Sequence, residues 1–137
     1  MNLELLFSVA GALAMAGWLT LLVSPLIPQW SDNIAGLVIP ALLSLGYVML
    51  SVFFSSTGDG GFGTLADVGL LFSQPEALLA GWVHFLAFDL FIGAWICKTA
   101  RQQQIRFWLV LPCLPLTFLF GPAGLLAFSL LRLSRKL

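Results

Sequence analysis

Four long apolar runs, at residues 5–27, 34–54, 78–97 and 107–131, leave this chain little choice of solvent. A helix needs ~20 apolar residues to cross the hydrocarbon core of a bilayer, where only helices and closed barrels satisfy their own backbone. Four such crossings consume most of the 137 residues, of which 60% are hydrophobic and 9% charged; in soluble domains about a quarter are charged. The expected fold is all-α: a single domain over residues 1–137, an integral membrane bundle of four transmembrane helices with the fourth kinked by prolines. Six basic and six acidic residues cancel, so no basic surface invites nucleic acid and the expected surroundings are membrane lipids.

The first run carries Ala10, Gly11, Ala12, Ala14, Ala16 and Gly17 at helical spacings, which let another backbone approach closely. That approach is satisfied within one subunit or in a homo-oligomer. Met1, Asn2, Leu3 and Glu4 bring no basic residue before the run, which is too long for a secretory signal, so the segment is expected to stay. An Arg- and Ser-rich transit sequence is also absent, which favours a bacterial protein or an already processed chain; the expected location is a bacterial inner membrane. Pro25, Pro28, Ser31 and Asn33 mark the first loop, with Asp32 as a helix N-cap for the second run. Pro40 removes the bond to the Gly36 carbonyl and predicts a bend there. Ser44, Tyr47 and Ser51 follow on a mildly polar stripe, directed into the bundle or bonded to their own preceding turns.

Residues 55–75 are glycine-rich at their start, and their apolar part, 65–72, is too short to cross, so they read as a loop with an interfacial turn. Asp59, Asp67 and Glu76 make this connection acidic, which places it outside. The stretch KTARQQQIR at 98–106 carries Lys98, Arg101 and Arg106, which points to the cytoplasmic face. Arg132, Arg135 and Lys136 follow the fourth run. If both final helices cross fully, these two basic clusters lie on opposite faces and charge leaves orientation open. The fourth run is also the most irregular: Pro112, Pro115 and Pro122 withdraw the usual partners of the Trp108, Leu111 and Phe118 carbonyls. In hydrocarbon such breaks survive where buried protein, water or a polar ligand replaces the partner, so this helix is expected to be bent and to line a cavity.

His84 and Asp89 lie near the middle of the third run. An Asp at that depth costs ~3 kcal/mol even on a lenient insertion scale, so it needs a partner or a task. Five residues apart, the two are separated by about 140° and about 7.5 Å on a helix, so they do not pair directly. They border a groove from two sides or face different helices, with Ser44, Tyr47 or Thr117 as partners. Three roles fit: general acid and base, proton relay, or a polar clamp between helices. A relay needs a ladder of titratable groups that the other spans lack, and a single histidine cannot build a di-iron cluster, so no metal is expected. Cys97 and Cys113 lack zinc-site spacing and read as buried thiols. Trp82, Phe85, Phe88, Phe91 and Trp95, with Phe118 and Phe120 on the fourth run, form a dense aromatic surface. It serves packing, interfacial anchoring or stacking along a flat polyene.

The segments AGWVHFLAFDLFIGAW (80–95) and LPCLPLTFLFGPAGLL (111–126) resemble the abscisic-acid-deficient-four family. These are plastid membrane proteins associated with neoxanthin synthesis, together with bacterial relatives. The resemblance implies a cofactor-free carotenoid isomerase: a ring epoxide opens while a neighbouring carbon-bound proton is lost, giving an allene without net oxidation. On this reading Asp89 is the catalytic acid and His84 the base, with exchanged roles open. The substrate, a carotenoid, retinal or another polyene isoprenoid, contacts Tyr47, Trp82, Phe85, Phe88, Trp95, Thr117, Phe118 and Phe120 in a groove between the third and fourth helices. The alternative is a non-enzymatic carotenoid- or retinal-binding or scaffold protein in which His84 and Asp89 clamp helices together.

Overall fold

The computed structural model describes residues 2–54 and 58–135, all of them helix or connection. Helix α1 spans Leu3–Leu22, α2 Pro28–Phe54, α3 Leu65–Phe72, α4 Pro75–Gln102 and α5 Phe107–Ser134. Four of these, all but α3, are long and apolar enough to cross a membrane, as the four apolar runs predicted. The long connection is more ordered than a loop with a turn. Thr64 Oγ1 accepts the Asp67 N–H at 3.1 Å and caps α3, an eight-residue helix. Residues 55–57 of that connection, like Lys136, lie outside the described residues.

Helix α4 is the hub. On one side α1 runs parallel to it: Phe7 meets Trp82 (ring centroids 5.9 Å apart), and Gly17 faces Leu90. Further along, the Trp18 ring lies 2.8 Å from where a Cβ on Gly93 would sit. Ala10, Ala14 and Gly17 form the buried edge of α1, whereas Ala12 and Ala16 point away. Small residues at this spacing bring the two backbones close, and packing replaces the hydrophobic effect that lipid cannot supply.

On the other side α2 runs antiparallel to α4. Asp32 does not cap this helix. The helix begins at Pro28, whose missing N–H costs nothing in the first turn, and Asp32 one turn in forms an ion pair with Arg101 of α4. A carboxylate 69 residues from its guanidinium partner looks, in sequence, like a local cap. The irregularity expected at Pro40 appears one turn earlier, as a π-helical turn over Ile34–Val38 closed by the Ile39 N–H on the Ile34 carbonyl. The wide turn comes immediately before Pro40, whose missing N–H interrupts the regular ladder there.

Helix α5 is kinked at its prolines, as expected, and the kink is sharp. A short helical piece at Phe107–Val110 leads into Cys113–Ser134. The Leu111 carbonyl is not left open, because it accepts the Leu114 N–H at 3.3 Å. At Phe120 the backbone leaves the helix (φ −141°, ψ 63°), just before Gly121 and Pro122. Beyond that point the chain turns back on itself: a Cβ at Gly124 would lie 2.6 Å from the Thr117 Cα. Seven residues along a straight helix span about 10 Å, so these two backbones belong to the arms of a hairpin. The first arm descends along α4 from its C-terminal end to Asp89, which lies against Gly121. The second arm climbs back, with Phe128 edge-on to Trp95 at 5.7 Å. Arg132 then donates from Nε to Gln103 Oε1 at 3.0 Å.

Candidate functional site

At the N-terminal end of α4 a cavity of about 580 Å³ opens between α2, α3, α4 and the glycine-rich residues 58–62. Local sequence explains its shape. Gly60 has φ +113°, a left-handed conformation that suits glycine, and a Cβ there would strike the α3 backbone at Leu71 N (2.5 Å) and Asp67 O (2.8 Å). The loop is thus pressed onto α3, helped by Gln74 Nε2 donating to the Asp59 carbonyl at 2.6 Å. Gly81 gives the Phe72 ring its place against α4, 2.5 Å from the missing Cβ.

The walls carry Tyr47 and Ser51 of α2 and Glu76, His84 and Phe85 of α4. The chain has one His and one Tyr, and the fold puts their rings 5.6 Å apart at 60°. Phe88 stacks obliquely on the same imidazole at 4.8 Å and Phe85 meets it edge-on at 6.0 Å. A cavity of this size, largely apolar and with a few convergent polar groups, is typical of small-molecule sites.

The two titratable residues singled out in α4 have different surroundings while remaining within electrostatic reach of each other. His84 lines the cavity, whereas Asp89 turns toward the apex of the α5 hairpin and is not among the cavity-lining residues. The cavity also lies between α2, α3 and α4, not between the third and fourth long helices where the groove was placed. Of the expected contact residues, Tyr47 and Phe85 line it. Trp82 pairs with Phe7, Phe118 packs edge-on to Trp18 at 5.5 Å, and Phe120 is exposed at the hairpin apex. Thr117 is fully buried, its hydroxyl donating to the Cys113 carbonyl at 2.7 Å. Glu76, Gln74 and Phe72 were missed; the available signal was the run of glycines, which marks a close approach as readily as a flexible loop. Cys97 and Cys113 are buried and unpaired.

One further surface connects to the cavity. His84, Phe88, Phe91 and Trp95 follow one another at steps of four, three and four residues, one face of α4, and the three aromatic rings are exposed. The stripe leads to a second hollow of about 190 Å³ bounded by Asp32, Gly36, Phe91, Ala94, Trp95 and Lys98.

A family model described as ABA4-like, ABA DEFICIENT 4-like, matches residues 5–128. No curated protein and no solved structure matches the chain.

Proposed function

The chain belongs to the ABA DEFICIENT 4-like family, and on that premise we propose that this integral membrane protein binds a carotenoid or related polyene and isomerises its end group in the α2–α3–α4 cavity. The observation that carries the reading is the adjacency of the His84 and Tyr47 rings in the lining of one cavity, between two helices long and apolar enough to cross a membrane. Opening an epoxide to an allene needs one proton delivered to oxygen and one removed from carbon. His84 takes the carbon-bound proton, the ring C–O bond breaks, and the Tyr47 hydroxyl protonates the oxygen. Return of the proton from His84 to Tyr47 restores both groups, so the reaction is a net isomerisation and requires no cofactor. Tyr47 replaces Asp89 as acid in this scheme because Asp89 stands outside the cavity wall. Glu76 and Gln74, at the polar rim, accept the hydroxyl of a ring end group.

An extended polyene is too long for the cavity to enclose. The Phe88–Phe91–Trp95 stripe offers it flat aromatic contact across the bilayer toward the second hollow. Exposure of that stripe also fits the second reading, a pigment-binding protein without chemistry. The test uses protein purified from a carotenoid-producing host, with extraction of bound pigment and an assay on an epoxidised xanthophyll. The proposal expects copurified polyene and an allenic product that disappears in His84→Ala. Bound pigment with no product in any variant selects the second reading, and neither pigment nor product rejects both.

A further inference from the structure

Both ends of α5 lie at the same end of α4. A straight helix from Phe107 would carry Arg132 about 37 Å away, at 1.5 Å per residue. Instead Arg132 hydrogen-bonds Gln103 at 3.0 Å, and its guanidinium sits over the Trp95 and Phe128 rings at 5.7 and 5.8 Å. The turning point, Phe120 to Pro122, lies beside Asp89, fourteen residues into the 28-residue α4. A non-helical backbone at that depth survives where protein covers it. Here Gly121 is buried against α4, and Gly124 closes onto the opposite arm.

We infer that α5 is a re-entrant hairpin: it enters the membrane, turns near the midplane and leaves by the face it entered, so that α1, α2 and α4 alone cross. This arrangement resolves the charge pattern. Lys98, Arg101, Arg106, Arg132 and Arg135 all fall at one end of the molecule, and the sixth basic residue, Lys136, follows Arg135 in the chain. The opposite end carries Glu4, Asp59, Asp67 and Glu76 and no Lys or Arg. An asymmetry this complete puts the basic end in the cytoplasm. The N-terminus, α3 and the mouth of the cavity then face outward, and a ligand end group reaches His84 from the outer leaflet.

The test is labelling of variants that each add one cysteine to the wild-type chain, with a membrane-impermeant maleimide in spheroplasts of an expressing bacterium, against the wild-type blank, whose two thiols are buried. Asp59→Cys and Ala66→Cys are labelled in intact spheroplasts; Gln102→Cys and Ser134→Cys only after permeabilisation. A fluorescent reporter that matures only in the cytoplasm, fused after residue 137 of the unmutated chain, gives signal. Labelling of Gln102→Cys and Ser134→Cys from opposite sides overturns the hairpin. Labelling of both from outside, or a dark but fully expressed fusion, overturns the orientation.

Discussion

The Asp89 carboxyl lies against the Cα of Gly121: a Cβ at that glycine would fall 3.0 Å from the Asp89 Cγ. The side chain whose burial in lipid is hardest to justify thus faces the place where the α5 backbone breaks. Filling the gap with Gly121→Val forces the hairpin apex off α4. Overpacking of this kind costs about 1–3 kcal/mol, read as a lower unfolding temperature in detergent. Gly46→Val, in the interior of α2 with nothing within 4 Å of an added Cβ, is the matched control: it relieves the entropic cost of a helical glycine without overpacking and does not lower the temperature.

The Asp32–Arg101 pair ties the start of α2 to the end of α4, with side chains 26% and 29% exposed. Asp32→Asn removes the charge partner of a guanidinium whose Nη1 is buried with no bond among the described residues. The loss is about 1 kcal/mol, at the upper end of what exposed pairs show. Arg101→Gln added to Asp32→Asn costs less than the sum of the two single changes, and thermal unfolding of the double-mutant cycle measures the difference.

In the proposed chemistry His84→Ala and Tyr47→Phe each lower turnover of an epoxidised xanthophyll by about 10²–10⁴-fold, the usual worth of a positioned acid or base. Because the two groups act on one transition state, the double variant falls little below either single one. Asp89→Asn keeps turnover within a few-fold of wild type. Product formation followed by chromatography checks all three, and a loss in Asp89→Asn equal to that in His84→Ala returns the acid to Asp89.

The aromatic stripe makes its own prediction. Phe88→Ala and Phe91→Ala remove exposed rings, each worth about 1 kcal/mol of contact to a stacked polyene, or roughly a fivefold weaker affinity. Pigment titration into detergent-solubilised protein reads the change. Leu45→Ala, on the exposed surface of α2, leaves affinity unaltered.

Much of this architecture is legible in hydropathy alone, because a membrane makes the length of an apolar run a structural rule. The kink in α5 is legible for a similar reason: Pro112, Pro115 and Pro122 cannot donate. That the kink becomes a fold-back is not, since it depends on Gly121 meeting Asp89 and Gly124 meeting Thr117. Glycine records such contacts only as the absence of a side chain. His84 stands out as the lone imidazole, and Tyr47 is one of the partners the sequence offers for the pair; that the imidazole meets Tyr47 and not Ser44 or Thr117 depends on how the helices pack, which spacing within α4 does not fix. Asp32 shows the opposite error, where a plausible local role concealed a remote partner.

The π turn at Ile34–Val38 has a consequence for the phase of α2. By accommodating one surplus residue, it sets everything downstream about 100° behind a regular helix. Tyr47 and Ser51 therefore meet the cavity while Asp32 still meets Arg101. A chain shortened by one position at the exposed Leu37 would recover ordinary winding with both ends in register, whereas one forced into ordinary winding at full length would swing Tyr47 away from His84.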